Sequence, residues 1–282
     1  GRNIARVISK KNNIFSTINK TKFSEKKVKL IKINFNKIDD IKNKITLIKP
    51  SLIIHTLGNT NVENCENNKI GAYKVNVKFV KNLSEVCKKK NIKIIYISSD
   101  HIFDGKDNYY SEKSKVKPLN YYAKTKVFAE KIIASASKEN LIIRCNFFGV
   151  GFKYRKSFSD KILESLKNKQ KIKLFHDVYF SPIEIKNLIK VLEKLIEKKI
   201  KGIFNISSNE SISKYQFGLL LCKIFRLDLN LIEPIQVNSV KHLVKRPQNM
   251  SLSNKKITKL LKIKKNFFGI NNQIKNLKKD IK

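Results

Sequence analysis

Two side chains with complementary chemistry stand four residues apart in a segment with helical character, Tyr122 and Lys126. Residues at this spacing share one face of a helix. A Lys cation beside a phenol favours the phenolate and lowers a pKa that is normally about 10. Tyr122 is therefore a candidate general acid for protonating a carbonyl oxygen. Ser99, at the end of a predicted strand, offers a hydroxyl that could polarise the same carbonyl.

The four-residue spacing is weak evidence by itself, because the chain has nine Tyr and is rich in Lys. Tyr109 and Lys113 have the same spacing, but they lie in a polar segment before Pro118 that has no helical periodicity. The alternative interpretation of Tyr122 is an exposed ring over a Lys stem. Only Tyr122 combines a predicted helix with an upstream strand-end hydroxyl, which favours the catalytic interpretation.

Helices and strands alternate along the first half of the chain. The strand segments LIIHTL and IKIIYIS are nearly continuous apolar runs, which is typical of strands buried on both faces. The alternation predicts an α/β fold with a parallel sheet that helices cover on both faces. Predicted helices span 2–11, 37–47, 70–89 and 122–136, and predicted strands span 14–19, 29–35, 52–56, 93–98 and 141–144.

The pattern becomes less regular from Asn146 onward. We predict helices over 158–168, 184–198 and 213–225, a strand over 202–206, and a terminal helix in the Lys-rich tail after Ser253. We interpret this half as a smaller lobe, part of which joins the sheet of the first half. We place the boundary between the two domains near residue 145.

The charge balance would suit a nucleic-acid binder, since 61 Lys and Arg against 22 Asp and Glu give a formal net charge of +39 in 282 residues. Only six of the cations are Arg, the residue that bidentate phosphate and base recognition prefers. The Lys residues are spread over the whole length. We therefore expect a solvated basic surface and no nucleic-acid partner, with a nucleic-acid module as a distant alternative.

Composition excludes further classes of protein. A hydrophobic content of 41% with nine Gly and five Pro is neither disordered nor collagenous. No apolar run approaches the ~18 residues of a membrane span, and the first residues lack a signal-peptide core. We expect a soluble, cytoplasmic protein with no membrane partner. The dispersed cysteines and histidines predict buried free thiols and no metal site.

The first residues, Gly1 to Ala5, look like the last glycine of a phosphate-binding turn and the helix that it opens. A dinucleotide-binding unit places a strand and two further glycines before that point. We therefore expect an N-terminally truncated chain that lacks the first strand. An expression scar is the alternative explanation of Gly1.

Taken together, these segments resemble the extended short-chain dehydrogenase/reductase superfamily and, within it, the dTDP-4-dehydrorhamnose reductase family. The signature S-T-D-Y-V-F-D-G is similar to residues 98–105, and P-L-N-x-Y-x-x-x-K is intact over 118–126. The resemblance covers nearly the whole chain. Four more family patterns, A-x-T-x-V-D-x-x-E, A-Y-x-V-N, R-T-S-W-x-Y-G and R-P-x-x-x-x-L-s, correspond to 58–66, 72–76, 144–149 and 246–253.

The resemblance implies a Rossmann-type doubly wound parallel sheet without its first strand. Residues 1–145 would bind NAD(P), and residues 146–282 would form the substrate-binding lobe. Ser99, Tyr122 and Lys126 would be the catalytic triad. NADPH or NADH would deliver hydride to the C4 keto group of a nucleotide-linked 6-deoxy sugar while Tyr122 supplies the proton.

The same resemblance assigns binding residues position by position. The substrate's sugar would face Val62, Ser99, His101 and Phe147. The cofactor would contact Gly1, Asn34, Phe35, Leu57, Gly58, Thr60, Tyr122 and Lys126, the last of these through the nicotinamide ribose. No acidic residue that could bind a free ribose 2′-hydroxyl occurs in 18–22, which favours NADPH.

Several positions depart from the family pattern. Ser99 replaces the usual Thr and keeps the hydroxyl, whereas Asn34 stands where the family commonly has Asp. His101 replaces Tyr and Phe147 replaces Trp, so the exact sugar stays open. Another nucleotide-sugar reductase or epimerase is one alternative. A non-catalytic NADP-binding subunit, resembling the regulatory subunit of methionine adenosyltransferase, is another. A homodimer is possible.

Overall fold

Residues 1–18, 25, 27–152 and 156–281 are described by a computed structural model. They form two compact units. Unit 1 contains residues 1–98, 120–143 and 192–203, and unit 2 contains residues 99–119, 144–191 and 204–282. The chain therefore passes between the units several times, and a functional division at residue 145 stays a prediction.

Unit 1 begins with alternating helices and strands. Its elements are α1 (Arg2–Ile8), β1 (Ile14–Ile18), β2 (Val28–Lys32), α2 (Ile38–Ile48), β3 (Leu52–His55), α3 (Val62–Asn67), α4 (Lys69–Tyr73), a π-helical turn (Lys74–Lys78), α5 (Phe79–Lys89), β4 (Lys93–Ile97), α6 (Tyr121–Ala136) and β5 (Leu141–Arg144), whose last residue belongs to unit 2.

The strands of this unit run parallel. β1 pairs with β2, and β3, β4 and β5 pair in that order. β10 (Gly202–Asn205) extends the sheet beside β5. The amide of Gly202 donates to the carbonyl of Asn140, and the amide of Ile206 donates to that of Arg144, so β10 also runs parallel. The predicted α/β organisation with a parallel sheet is confirmed.

Apolar faces of α2, α5 and α6 pack on the sheet to form the core of unit 1. Ile41 on α2, Leu83 on α5, Ile94 on β4 and Ile133 on α6 are all buried there. Full burial of one large apolar side chain stabilises the folded state by about 1.5 to 3 kcal/mol. The core therefore fixes α6 against β4, the two elements that flank the candidate acid.

Unit 2 contains helices and shorter strands around a separate apolar core. They are β6 (Phe147–Phe148), α7 (Phe158–Lys167), β7 (Ile172–Phe175), β8 (Tyr179–Phe180), β9 (Ile183–Glu184), α8 (Ile185–Glu197), β11 (Ile212–Ser213), α9 (Lys214–Phe225), β12 (Ile232–Ile235), α10 (Lys255–Leu261) and α11 (Ile270–Asp280), with the end of α8 in unit 1. β12 pairs in parallel with β7, β9 in parallel with β6, and β11 antiparallel with β8.

Two predicted helices differ in detail from the structure. The helix predicted over 2–11 ends at Ile8, because the amides of Lys10 and Lys11 bond three residues back in a tighter turn. The helix predicted over 70–89 is confirmed as one continuous helical stretch, and the structure adds a π-helical turn within it. It is divided into α4, the π-helical turn and α5, and the Asn68 side chain caps α4 by accepting from the amide of Gly71.

Cys65, Cys87, Cys145 and Cys222 are buried free thiols, as predicted. Within the described ranges, no helix has the length and apolarity needed to cross a bilayer. Over the same residues, no group of three or more His, Cys, Asp or Glu side chains is arranged to hold a metal ion.

Candidate active site

The start of α6 is fixed by two side chains. Asn120 caps the helix by accepting from the amide of Ala123 at 2.9 Å. Oε2 of Glu66, in α3, accepts from the amide of Tyr121 at 2.8 Å. The first amides of a helix have no partner within the helix, so these acceptors satisfy donors that would otherwise be unpaired. Together they hold the turn that carries Tyr122.

Tyr122 and Lys126 are both 6% exposed and lie one helical turn apart on α6. Nζ of Lys126 donates to the carbonyl oxygen of Ile97, at the end of β4, at 2.7 Å. It also lies 4.2 Å from the centroid of the Tyr96 ring, within cation–π range. The ammonium is thus held at the carboxyl end of a parallel strand, where ligands bind in open α/β sheets.

The two aromatic groups around Lys126 carry no charge at neutral pH. Burial, followed by the neighbouring Tyr122 and Glu130, raises the pKa of Tyr96 well above its usual value. Burial, and then the charge of Lys126, lowers the pKa of His55 to about 3. The His55 and Tyr96 rings stack with centroids 5.5 Å apart. Neither ring therefore adds a charge beside Lys126.

A buried amide connects α6 with the loop that follows β3. Asn76, inside the π-helical turn, is 2% exposed. Its Nδ2 donates to Oγ1 of Thr125 and to the carbonyl of Asn59, both at 3.0 Å, and its Oδ1 accepts from the amide of Asn59 at 2.8 Å. Thr125 Oγ1 donates in turn to the carbonyl of Tyr122 at 2.6 Å. This chain of bonds fixes the loop against the helix that carries the candidate acid.

The candidate nucleotide-binding residues of unit 1 follow its parallel strands. A Cβ placed on Gly1 would lie 2.8 Å from Oγ1 of Thr56, so α1 starts too close to the end of β3 for a side chain. Close packing of helix and strand is what the last glycine of a dinucleotide-binding turn permits. A Cβ on Gly58 would similarly approach Oδ1 of Asn76 to 3.3 Å. Both glycines thus fit a dinucleotide site.

The other predicted cofactor residues lie at the ends of β2 and β3. Asn34 is exposed, and its amide donates to Oδ2 of Asp40 at 2.6 Å. The Phe35 ring packs on Phe79 with centroids 4.6 Å apart. Leu57 is 37% exposed, and Thr60 is exposed in the same loop. These residues leave accessible surface beside the strand ends.

Ser99 is in unit 2 and is 5% exposed. Its hydroxyl donates to Oδ1 of Asp100 at 3.3 Å and accepts from the amide of His101 at 3.2 Å. Oδ2 of Asp100 accepts from Nδ2 of Asn146 at 2.7 Å. The Asp100 carboxylate therefore orients the Ser99 hydroxyl within unit 2.

The remaining sugar-site candidates differ in exposure. Val62 is buried at the start of α3 in unit 1. His101 is partly buried in unit 2, and Phe147 on β6 is 51% exposed. A large exposed ring can pack against a sugar face. Phe147 thus remains available to a ligand.

Tyr122 and Lys126 are brought onto one face as predicted, whereas Ser99 belongs to the other unit. The association of Ser99 with Tyr122 stays a prediction. Asn19 to Lys22, on which the preference for NADPH depends, lie outside the described residues. Supporting residues that the sequence did not reveal are Glu66, Asn76, Thr125, Asp100 and Asn146. Glu66 and Asn76 occupy matched motif positions, which was the available signal.

Comparisons with known proteins identify the family of this chain. The dTDP-4-dehydrorhamnose reductase of Aggregatibacter actinomycetemcomitans is 28% identical over 248 residues, covering 81% of this chain and 83% of that protein. The methionine adenosyltransferase 2 subunit beta of Pongo abelii is 28% identical over 219 residues, covering 75% of this chain and 65% of that protein.

A crystal structure of the dTDP-4-dehydrorhamnose reductase of Bacillus anthracis, in complex with NADP, aligns with a TM-score of 0.82. It is 20% identical to this chain, and the alignment covers 92% of both chains. This likeness confirms the Rossmann-type fold. A family model described as the RmlD substrate binding domain matches residues 1–277. The chain therefore belongs to the RmlD substrate binding domain family.

Proposed function

We propose that this chain is an NADPH-dependent reductase of the C4 keto group of a nucleotide-linked 6-deoxy sugar, with NADH as a possible substitute. The substrate is dTDP-4-dehydrorhamnose or a close analogue, and the reaction belongs to dTDP-rhamnose synthesis for polysaccharides. Membership of the family and the related reductase of Aggregatibacter actinomycetemcomitans support this proposal.

One observation carries the proposal most directly. Tyr122 and Lys126 are buried on the same face of α6, and Lys126 is held by the carbonyl of Ile97 and the ring of Tyr96. A buried cation one turn from a phenol stabilises the phenolate that remains after proton donation. A merely structural Tyr and Lys pair would not need this arrangement.

The residues at the strand ends fit a dinucleotide. Gly1, as the last glycine of the diphosphate-binding turn, would let α1 begin close to the end of β3, while Leu57, Gly58 and Thr60 would line the ribose. Asn34 and Phe35 would lie against the adenosine end, and Lys126 would bind the nicotinamide ribose. When bound, NADPH supplies the hydride for the C4 carbon.

Side chains of the protein donate the proton and stabilise the charge that results. The Tyr122 hydroxyl donates its proton to the O4 oxygen as that oxygen becomes an alkoxide. The charge of Lys126 stabilises the resulting phenolate. Ser99 donates a second hydrogen bond to O4 and so polarises the carbonyl, with Asp100 and Asn146 holding the Ser99 side chain in place.

The sugar would contact Val62, His101 and Phe147, the positions that match the family's sugar site. Phe147 would pack on the sugar face, and His101 would bond to a hydroxyl. Because these two positions depart from the family's Tyr and Trp, the sugar preference can differ from that of the relatives.

We further propose a cytoplasmic homodimer. Ile70 and Tyr73 on α4 and Phe128 on α6 are 73%, 44% and 48% exposed, which leaves apolar side chains on unit 1 for a second copy. Sedimentation velocity distinguishes a dimer from a monomer.

A non-catalytic NADP-binding subunit is the second candidate, and the likeness to methionine adenosyltransferase 2 subunit beta favours it. A regulatory subunit has no need of a general acid, however. Tyr122, Lys126 and Ser99 are all retained, and the first two are supported by a buried network.

Turnover separates the two candidates. The chain is mixed with NADPH and dTDP-4-dehydrorhamnose, NADPH oxidation is followed at 340 nm, and the sugar product is identified by mass spectrometry. The reductase predicts sugar-dependent oxidation and a gain of two hydrogen atoms in the product. Binding of NADPH with no turnover on this or any other keto sugar nucleotide would instead support the regulatory subunit.

A further inference from the structure

The buried face of α6 carries three titratable side chains on successive turns. Tyr122, Lys126 and Glu130 are spaced four residues apart, and each is 6% exposed. Side chains at this spacing are neighbours on one side of a helix. Ile133, less than one turn further along, is buried in the apolar core of unit 1. Glu130 therefore places a carboxyl group between the candidate acid and the core.

Glu130 is bonded to the end of β4. Its Oε1 accepts from Oγ of Ser98 at 2.5 Å. Ser98 follows directly after β4 and is itself buried. The amide of Ser98 donates to the carbonyl of Ile143, on β5, at 2.7 Å. The main chain of Ser98 is thus bonded to the sheet, and its side chain is bonded to α6.

Lys126 makes a second connection between the same two elements. Its Nζ donates to the carbonyl of Ile97, the residue before Ser98. The carbonyl of Ile97 and the amide of Ser98 belong to one planar peptide unit, so they can only turn together. The bonds that fix Ser98 therefore also fix the direction of the carbonyl that holds Lys126.

A carboxyl group at position 130 is unfavourable for packing alone. Burial of a polar group costs free energy unless the group is hydrogen-bonded, and the nearby buried residues Ala129 and Ile133 on α6 are apolar. The bond from Ser98 offsets this cost. Burial, then Tyr122, then Glu130 raise the pKa of Tyr96, so Glu130 also acts on the ring against which the Lys126 ammonium lies.

We propose that Glu130 is a positioning residue for Lys126 and acts through the hydroxyl of Ser98. Its carboxyl group holds the Ser98 side chain, and Ser98 fixes the peptide unit whose carbonyl, that of Ile97, holds the ammonium one turn from Tyr122. The effect on turnover rests on the proposed reductase function, whereas the effect on the Lys126 ammonium does not. Neither Glu130 nor Ser98 was singled out by the sequence.

The first measurement follows the Lys126 ammonium and needs no turnover. The full chain is treated with limiting acetic anhydride, and acetylation of each lysine is followed by peptide mass spectrometry. We expect Ser98→Ala to raise the rate at Lys126 at least about fivefold, because the acceptor of the ammonium is no longer held in place.

Lys93 is the internal reference for this measurement. It lies at the other end of β4, where its Nζ donates to the carbonyl of Ile200 at 2.7 Å, a bond that Ser98→Ala leaves intact. Its rate should stay within about twofold of the wild type. An equal rise at Lys93 and Lys126 would indicate general loosening of the chain and contradict the proposal, as would an unchanged rate at Lys126.

Glu130→Gln and Glu130→Leu separate the hydrogen bond from packing. The two new side chains are similar in size, but only that of Gln keeps an oxygen that can accept from Ser98. We expect the acetylation rate of Lys126 in Glu130→Gln to stay within about threefold of the wild type, and that in Glu130→Leu to match Ser98→Ala. Equal rates in the two variants would overturn the role of the bond. If Glu130→Leu does not fold, Ser98→Ala still decides.

Turnover provides a readout that a merely structural pair would not change. We expect kcat for sugar-dependent NADPH oxidation, per folded molecule, to fall at least about tenfold in Ser98→Ala, because small displacements of catalytic groups slow reactions strongly. KM for the sugar should stay within about twofold. Ser84→Ala is the matched control, since Ser84 on α5 is also buried and its Oγ has no hydrogen-bond partner among the described residues. It should retain the wild-type kcat.

These outcomes are separable from those of the reductase assay. Faster acetylation of Lys126 in Ser98→Ala, with no turnover of any keto sugar by the wild type, would support the positioning role and overturn the reductase. Turnover by the wild type, with unchanged acetylation or unchanged kcat in Ser98→Ala, would support the reductase and overturn only the role of Glu130.

Discussion

The environment of Lys126 accounts for the chemistry assigned to Tyr122. Its ammonium is bonded to a main-chain carbonyl and lies over a ring that stays neutral. The lowered pKa of His55 removes a second potential cation from the same surroundings. In a buried site the field of one cation on a phenol is strong, because little water screens it. Lys126 can therefore stabilise a phenolate without competing charges from these two rings.

Glu66 gives a pH-dependent test of how the acid is positioned. The amide of Tyr121 and the nearby Lys69 and Lys124 lower the pKa of Glu66 below its usual 4.5. The ionised carboxylate therefore stabilises the folded state above pH 4.5, and this contribution is lost as the pH falls through the lowered value. We expect Glu66→Gln to lower the free energy of unfolding by about 0.5 to 1 kcal/mol at pH 7, since the side chain is partly exposed.

Urea denaturation between pH 7 and pH 3 measures this effect. The difference between wild type and Glu66→Gln should shrink below pH 4.5. Glu85→Gln, on the exposed face of α5, is the control and should show no such trend. A difference that grows toward low pH would contradict the assigned role of Glu66.

At the scale of elements, the site depends on how α6 is held. Glu66 and Asn120 fix its first turn, and Asn76 reaches it from the π-helical turn through Thr125. A π-helical turn inserts one extra residue and is frequently found at functional sites. Here it places a polar side chain in the buried layer between the loop after β3 and the helix.

Removal of this bridge should affect stability and cofactor affinity together. Asn76→Ala leaves the amide and carbonyl of Asn59 without their buried partner, so we expect a loss of about 2 to 4 kcal/mol in the free energy of unfolding. Affinity for NADPH should fall, because the Leu57 to Thr60 loop loses its anchor. Urea denaturation and fluorescence titration measure the two effects.

Asn67→Ala is the control, because Asn67 is exposed at the end of α3. It should change the free energy of unfolding by no more than about 0.5 kcal/mol. An Asn76→Ala variant with wild-type stability and wild-type affinity would show that the bridge does not hold the loop.

Sequence patterns predicted those elements that local periodicity encodes. α6 and β4 lie close to their predicted ranges because their apolar residues recur at helix and strand spacing. The π-helical turn was missed because an i to i+5 bond hardly changes the apolar pattern. Of the two helices after Ser253, one was predicted. The strands β6, β8 and β11 were not predicted, because two residues are too few to show a period.

At the scale of the whole molecule, the interleaving of the two units was not predictable. Ser99 and Tyr122 are 23 residues apart in sequence, yet they belong to different units because residues 99–119 pack with the second half of the chain. Local periodicity carries no information about such long-range packing. The family motifs nevertheless grouped Ser99, Tyr122 and Lys126, because a motif matches residues by their position in the sequence and does not depend on which residues are in contact.

The net charge of +39 does not by itself identify a ligand. Many lysines are exposed, and such cations favour anionic ligands in general without selecting one.

The most direct test of Tyr122 as the general acid is the rate of sugar-dependent NADPH oxidation by Tyr122→Phe. We expect kcat to fall by at least about 100-fold, because the proton donor is gone, while affinity for NADPH changes little. Tyr109→Phe, from the other Tyr and Lys pair with the same spacing, should retain wild-type activity. Wild-type kcat in Tyr122→Phe would contradict the assignment of Tyr122 as the acid.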